Sequence, residues 1–225
     1  MFFALRPKLA LLSDLNFDLM TTYRAVRDEP QLVKSILQEW PNSEEKYYEV
    51  RDLTPRHRHE VAARLIFLTS LSFNGIFRQN LKGEFNVPYG YKSHVDVAAA
   101  VKFDEASKTL GAAQLLWSDF EPIIDRSEAR DFVYVDPPYT VAHNNNGFVK
   151  YNERIFSWAD QIRLAKACER ARQRGAYVIV SNANHVSLDE LYSGFRKLEV
   201  TRSCVIAADA EHRTAYAEAL YFSYG

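Results

Sequence analysis

A four-residue apolar run, Phe132-Val133-Tyr134-Val135, ends on a carboxylate, Asp136, and the next three residues are Pro137, Pro138 and Tyr139. Proline has no N–H to give to a ladder, so a buried strand must stop here. Each ring also holds φ at about −65° and leaves only carbonyl oxygens on offer. The loop therefore presents acceptors in a rigid array beside the Asp136 carboxylate, with the Tyr139 ring next to them. Acceptors beside a stacking plane suit a flat base that bears an amino group. Asp136 and the Pro137 carbonyl can each accept one N–H of that group while Tyr139 stacks on the ring. The plainer reading, a strand breaker and nothing more, leaves Tyr139 and the surrounding pattern unused.

The rest of the chain alternates strand-like and helix-like segments, which predicts a parallel α/β sheet. Residues 9–14 read as a short buried strand ending at Asp14. A helix follows, capped by Asn16, with Leu19, Tyr23 and Val26 on one face. A second runs over 30–40, with Pro30 at its first position and Pro41 beyond its end. A third starts near Thr54-Pro55 and carries Val61, Leu65, Leu68 and Leu71 at helical spacing to about Phe73. Residues 74–92 hold Gly75, Gly83, Pro88 and Gly90, and 80–84 look like a turn between two short strands. A helix and then a strand are expected over 95–116. Ser157 caps the clearest helix, Asp160 stands three residues on, and Gly175 stops it. Residues 176–182 form a buried strand and 188–195 a short helix. Strands 196–206 and 217–224 are joined too closely for a crossover helix, so they form an antiparallel hairpin at one edge. Ligands of such sheets bind outside the carboxyl ends of the strands. Asp14, Asp136 and Ser181-Asn182 stand at those ends.

Composition narrows the partners. The chain has 225 residues, 47% of them hydrophobic, with net charge −1. It can bury a sizeable core, but no global basic field marks a nucleic-acid binder. A local patch exists: residues 51–92 hold seven Arg or Lys (51, 56, 58, 64, 78, 82, 92) against three acids (52, 60, 84). Cys168 and Cys204 are too far apart for a disulfide framework or a zinc knuckle, which fits a cytoplasmic protein. No apolar run reaches the ~20 residues of a membrane span. His57 and His59 are two apart, expected on different helix faces, and are not read as metal ligands. Lys34, Lys46 and Glu44-Glu45 read as surface.

Six segments carry a family resemblance, in this order: LSDLNFDLMTTYRAV (12–26), LSFNGIFRQNLKGEFNVPYGYK (71–92), SDFE (118–121), FVYVDPPY (132–139), FSWADQIRLA (156–165) and VIVSN (178–182). The chain resembles the Dam-like DNA adenine methyltransferases over nearly its whole length. The resemblance implies a Rossmann-like methyltransferase sheet of α/β class. It implies S-adenosylmethionine as cofactor, double-stranded DNA as substrate and no metal. By position, Asp14 matches the acid on the cofactor ribose. Asp119 and Phe120 match a segment close to the cofactor adenine. Asp136, Pro137, Pro138 and Tyr139 match the catalytic loop, with Asp136 also beside the cofactor. Phe73, Asn74, Ile76, Arg78, Asn80 and Pro88 match a hairpin that enters DNA. Arg78 would be its main base reader, since an arginine fork suits guanine O6/N7.

The resemblance also implies a layout and a departure. Residues 1–41 and 101–225 would be the catalytic domain, and 42–100 an inserted target-recognition subdomain. Relatives carry a glycine-containing turn and a central strand before the point that matches Met1. The expectation is thus a sheet lacking that strand between 9–14 and 132–135, and weak cofactor binding by this chain. The hairpin end PYGYK (88–92) is one residue shorter than the resemblance implies for many relatives. The function implied is methylation of the adenine 6-amino group, at a GATC-like site, alone or beside a cognate restriction endonuclease. Two rivals are a methyltransferase acting on RNA or protein amides, and a catalytically impaired DNA-binding remnant.

Overall fold

The computed structural model describes residues 1–80, 83–141, 156–202 and 216–224. Their contacts gather into two compact units, Met1–Ser118 and Asp119–Gly225.

The first unit opens with one helical turn, α1 (Phe2–Leu5), then β1 (Ala10–Asp14) and α2 (Phe17–Asp28). The Asn16 side chain accepts from the Leu19 N–H at 3.0 Å, so α2 starts where its cap predicts. Met20, Ala25 and Val26 are its buried apolar residues, flanked by half-buried Leu19 and Tyr23. α3 (Pro30–Glu39) begins at its proline. α4 (Glu44–Asp52) is an element that the sequence reading lacks. Ser43 caps it by accepting from the Lys46 N–H, and Tyr47 and Val50 are its only buried residues. Two anchors in a charged stretch are too few to display a period. α5 (Arg58–Leu71) begins four residues later than Thr54. Glu60 sets that start by accepting from the Arg56 and His57 N–H groups, both at 3.0 Å. His57 therefore precedes the helix, and the expectation of two separate helix faces fails: its ring stacks on His59 at 5.5 Å.

α6 (Val97–Ala100) and α7 (Phe103–Leu110) stand where one helix was expected, before β2 (Ala113–Trp117). β2 pairs parallel with β1, from Ala10 opposite Ala113 to Asp14 opposite Trp117. Helices α2 to α5 enclose the core, with Met20, Val33, Tyr47, Ala62, Phe67 and Leu68 fully buried. β1 is half-buried rather than buried, since among the described residues it has a ladder partner on one edge alone.

The second unit contains α8 (Phe120–Ile124), β3 (Phe132–Val135), α9 (Trp158–Gln173), β4 (Tyr177–Ala183), α10 (Val186–Leu191), β5 (Arg196–Arg202) and β6 (Tyr216–Phe222). The strand order is β3-β4-β6-β5, with β3 and β4 parallel and the rest antiparallel. β5 and β6 form the predicted edge hairpin, while its connection, Cys204 included, lies outside the described residues. α9 packs Leu164, Ala167, Cys168 and Ala171 against Val178 and Val180, with Val133 and Val135 at the margin. The opposite face of β3 carries Phe132 and Tyr134, both exposed. β3 is thus one-sided rather than buried, which a run of four apolar residues cannot reveal. Burial pushes the Cys168 thiol up to about 12, so it stays protonated.

One parallel and one mixed sheet with flanking helices agree with the expected α/β class. Among the described residues, no helix is long and apolar enough to cross a membrane. Nor does any cluster of His, Cys, Asp or Glu there suit a metal ion.

Candidate active site and nucleic-acid interface

The parallel register sets Val135 opposite Val180, so β3 and β4 reach their carboxyl ends side by side. Asp136 follows β3 directly and is exposed, Pro137 is buried, and Pro138 and Tyr139 are half-buried. Tyr139 Oη lies 3.3 Å from Ser181 Oγ on β4, which ties the loop to the neighbouring strand. Thr140 is fully buried and its hydroxyl donates to the Phe156 carbonyl at 2.7 Å. Among the described residues no group donates to the Pro137 carbonyl. The segment is pinned at Tyr139 and Thr140, with the carboxylate and carbonyl ahead of those pins.

Asp119 and Phe120 belong to the same unit. The Asp119 carboxylate caps α8, accepting from the Glu121 N–H at 2.9 Å, and also accepts from Arg163 Nη2 at 2.7 Å. The Phe120 ring is 5.8 Å from the Phe156 ring, and the Arg163 guanidinium lies over it at 4.8 Å. Hydrogen bonds from Arg170 and then Arg163 hold the Glu121 carboxyl below its usual range. The Ser157 hydroxyl does the same for Asp160.

In the first unit, Asp14 ends β1 with an exposed side chain. Its Oδ1 accepts from the Asn16 N–H at 2.7 Å, just ahead of the α2 cap. Burial, and then the Asp14 charge, hold the Tyr23 hydroxyl above its usual range. Trp117 at the end of β2 donates its indole N–H to the Leu15 carbonyl at 2.8 Å, and its ring meets Phe17 edge-on at 5.2 Å.

The predicted hairpin over 74–92 is a loose one. Two isolated bridges, Ser72 with Tyr89 and Gln79 with Phe85, replace the expected pair of short strands. Leu81 and Lys82 at its tip lie outside the described residues. Asn74 has φ 53° and Gly75 φ 69°, so the chain turns through two successive left-handed residues before Ile76. Phe73, Asn74, Arg78, Asn80 and Pro88 are exposed and Ile76 is half-buried. Asn80 closes the turn by donating to Glu84 Oε2 at 2.7 Å. The base is anchored by the buried Tyr47, whose hydroxyl donates to the Val87 carbonyl at 3.0 Å, and by Tyr89, which donates to Asn42 at 2.7 Å.

A family model for the D12 class of N6 adenine-specific DNA methyltransferases matches residues 1–206. The chain belongs to this family. A type II methyltransferase of Lactococcus lactis subsp. cremoris, M1.LlaDCHI, is 30% identical, over all of this chain and 83% of its own length. M.MjaIII of Methanocaldococcus jannaschii, also a type II methyltransferase, is 34% identical over 92% of this chain and 76% of its own. A DNA adenine methylase of Vibrio cholerae is 28% identical over 93% and 78%.

In this D12-class methyltransferase much of the basic patch over 51–92 has structural work. Arg64 donates to the Val50 and Arg51 carbonyls and closes α4. Arg58 pairs with Asp28 and Glu29. Arg51 covers the Tyr48 ring, and Lys92 donates to the Ser70 carbonyl. Arg78 is held by Asn86. Sequence alone assigns no role to Ser181 as a partner of Tyr139, to Asn86 or to Arg163. The S-x-x-D capping signal at Ser157, with a basic residue one turn on, pointed to the last of these.

Proposed function

We propose that this methyltransferase transfers a methyl group from S-adenosylmethionine to the 6-amino group of an adenine turned out of duplex DNA, at a GATC-like site. The carrying observation is an exposed carboxylate at the end of β3, followed by a buried Pro137, a half-buried Pro138 and a tyrosine tied to β4. An adenine amino group is a poor nucleophile because its lone pair is delocalised into the ring. Asp136 and the Pro137 carbonyl accept its two N–H bonds, localise the lone pair and favour the tetrahedral geometry of attack. The target nitrogen is unreachable inside a stacked duplex, so the base leaves the helix and stacks on Tyr139.

The residues present fit the ribose and adenine of the cofactor. When bound it supplies an electrophilic sulfonium methyl. Asp14 reaches only the Asn16 N–H among described groups, which leaves its second oxygen for the ribose hydroxyls. Asp119 and Phe120 would hold the adenine. Residues 42–100 would recognise the target, with Arg78 reading guanine and Phe73, Asn74, Ile76, Asn80 and Pro88 shaping the contact. Residues 1–41 and 101–225 would bind the cofactor and carry the chemistry. A cytoplasmic setting and a cognate restriction endonuclease are part of this reading, the latter supported by the type II names of two relatives. The test is incubation with isotopically labelled cofactor and duplex DNA, followed by nucleoside mass analysis. Labelled N6-methyladenine confined to one short sequence is the expected product. Label in cytosine, in RNA alone or in protein would refute the reading.

A further inference from the structure

The segment 156–165 has no part in the reading above, yet two other parts of its unit, the loop after β3 and the start of α8, converge on it. Phe156 accepts the Thr140 hydroxyl, so it is tied to the catalytic loop. Ser157 and Asp160 cap each other reciprocally and fix the first turn of α9. One turn on, Arg163 donates from Nη2 to Asp119 at 2.7 Å, from Nε to Glu121 at 3.0 Å and from Nη1 to Asp160 at 2.9 Å. Its guanidinium carbon also lies over the Phe120 ring, 4.8 Å from the ring centre.

We propose that Arg163 is a positioning residue for cofactor binding: it fixes the Asp119 carboxylate and the Phe120 ring as one preformed surface for the cofactor's adenine. This rests on the reading that Asp119 and Phe120 take that adenine. A planar fork is required, because three carboxylates in different directions and an aromatic face cannot all be met by an ammonium. Stability is not the main yield, since Arg163 is 42% exposed and exposed ion pairs contribute little. Geometry is. Without Arg163, Glu121 keeps Arg170, Asp160 keeps the Ser157 hydroxyl and Asp119 keeps the Glu121 N–H, but the link that joins these three carboxylates to the Phe120 ring is lost. The Phe156 link makes the same helix turn a common support for this surface and for the catalytic loop.

The experiment compares Arg163→Ala, Arg163→Lys, Asp119→Ala, Phe120→Ala and the double variant Arg163→Ala/Phe120→Ala in the full chain. It reads calorimetric affinity for S-adenosylhomocysteine, KM for S-adenosylmethionine, kcat and Tm. Arg163→Ala should weaken both cofactor constants about tenfold, with kcat at saturation within about twofold, as expected for contacting residues that couple. Arg163→Lys should not restore them, and the double variant should bind no worse than the weaker single. A lower Tm with unchanged cofactor constants in Arg163→Ala would make the arginine merely structural and overturn the proposal. If Asp119→Ala and Phe120→Ala also leave the constants unchanged, the assignment of the adenine surface falls with it. If those two weaken binding and Arg163→Ala does not, only the role of Arg163 falls.

Discussion

Arg78 and Asn86 hold each other across the 74–92 hairpin. Arg78 Nε donates to Asn86 Oδ1 at 2.9 Å, Nη2 donates to the Asn86 carbonyl at 3.3 Å, and the Asn86 N–H returns a bond to the Arg78 carbonyl at 3.1 Å. One edge of the guanidinium is used, and the Nη1–Nη2 end keeps its donors. A fork held this way loses little rotamer freedom when it meets a base.

Arg78→Ala should therefore flatten discrimination among sites more than it weakens non-specific binding, by ~1–3 kcal/mol for a bidentate guanine contact. Asn86→Ala should act in the same direction, and should add nothing in the Arg78→Ala background. Competition binding with the cognate duplex and a single-base variant measures this. An unchanged ratio of specific to non-specific affinity in Arg78→Ala excludes it as a base reader. Lys82 is a different case: if it touches only phosphate, its removal changes the salt slope by about one unit.

Gly90→Ala should detach the hairpin from α5. A Cβ at Gly90 would stand 2.6 Å from the Ser72 carbonyl oxygen and 3.0 Å from that of Leu71, both backbone. Neither can rotate away, and the Gly90 N–H already donates to the Leu71 carbonyl at 2.8 Å. Overpacking of this kind costs ~1–3 kcal/mol. Denaturant titration should show the loss, with site discrimination falling alongside it. Wild-type stability would mean that the two segments are not in register.

Acid should loosen the contact between α8 and α9. Arg170 above all holds the Glu121 and Asp125 carboxyls below their usual ranges, and the Ser157 hydroxyl does so for Asp160. Depressed folded-state values mean stability that is present above the ordinary pKa of 4.5 or 3.8 and is lost as pH falls through the folded value. Tm should drop below about pH 4.5, and Arg170→Ala should make that drop shallower. Equal slopes for the two proteins would show that these pairs carry no linkage.

Much of the site was legible because its signals are local. The Asp136-Pro137-Pro138 stop, the Asn16 cap and the Ser157–Asp160 capping box each involve residues within four positions, and each stands where the sequence places it. What escaped depends on distant partners. Arg163 meets Asp119 across 44 positions, and Tyr139 meets Ser181 across 42. β3 looked buried because Phe132 and Tyr134 are apolar whichever face they take; only packing against α9 decides that Val133 and Val135 point inward. α4 escaped because its helix rests on Tyr47 and Val50 alone.

The central claim is that Asp136 activates the amino group and contributes little to holding DNA. Single-turnover methyl transfer and duplex affinity should be measured together for the wild type and Asp136→Ala. Duplex affinity should stay within about threefold while transfer becomes undetectable. Transfer by Asp136→Ala within tenfold of wild type, a barrier change of ~1.4 kcal/mol or less, would contradict the account.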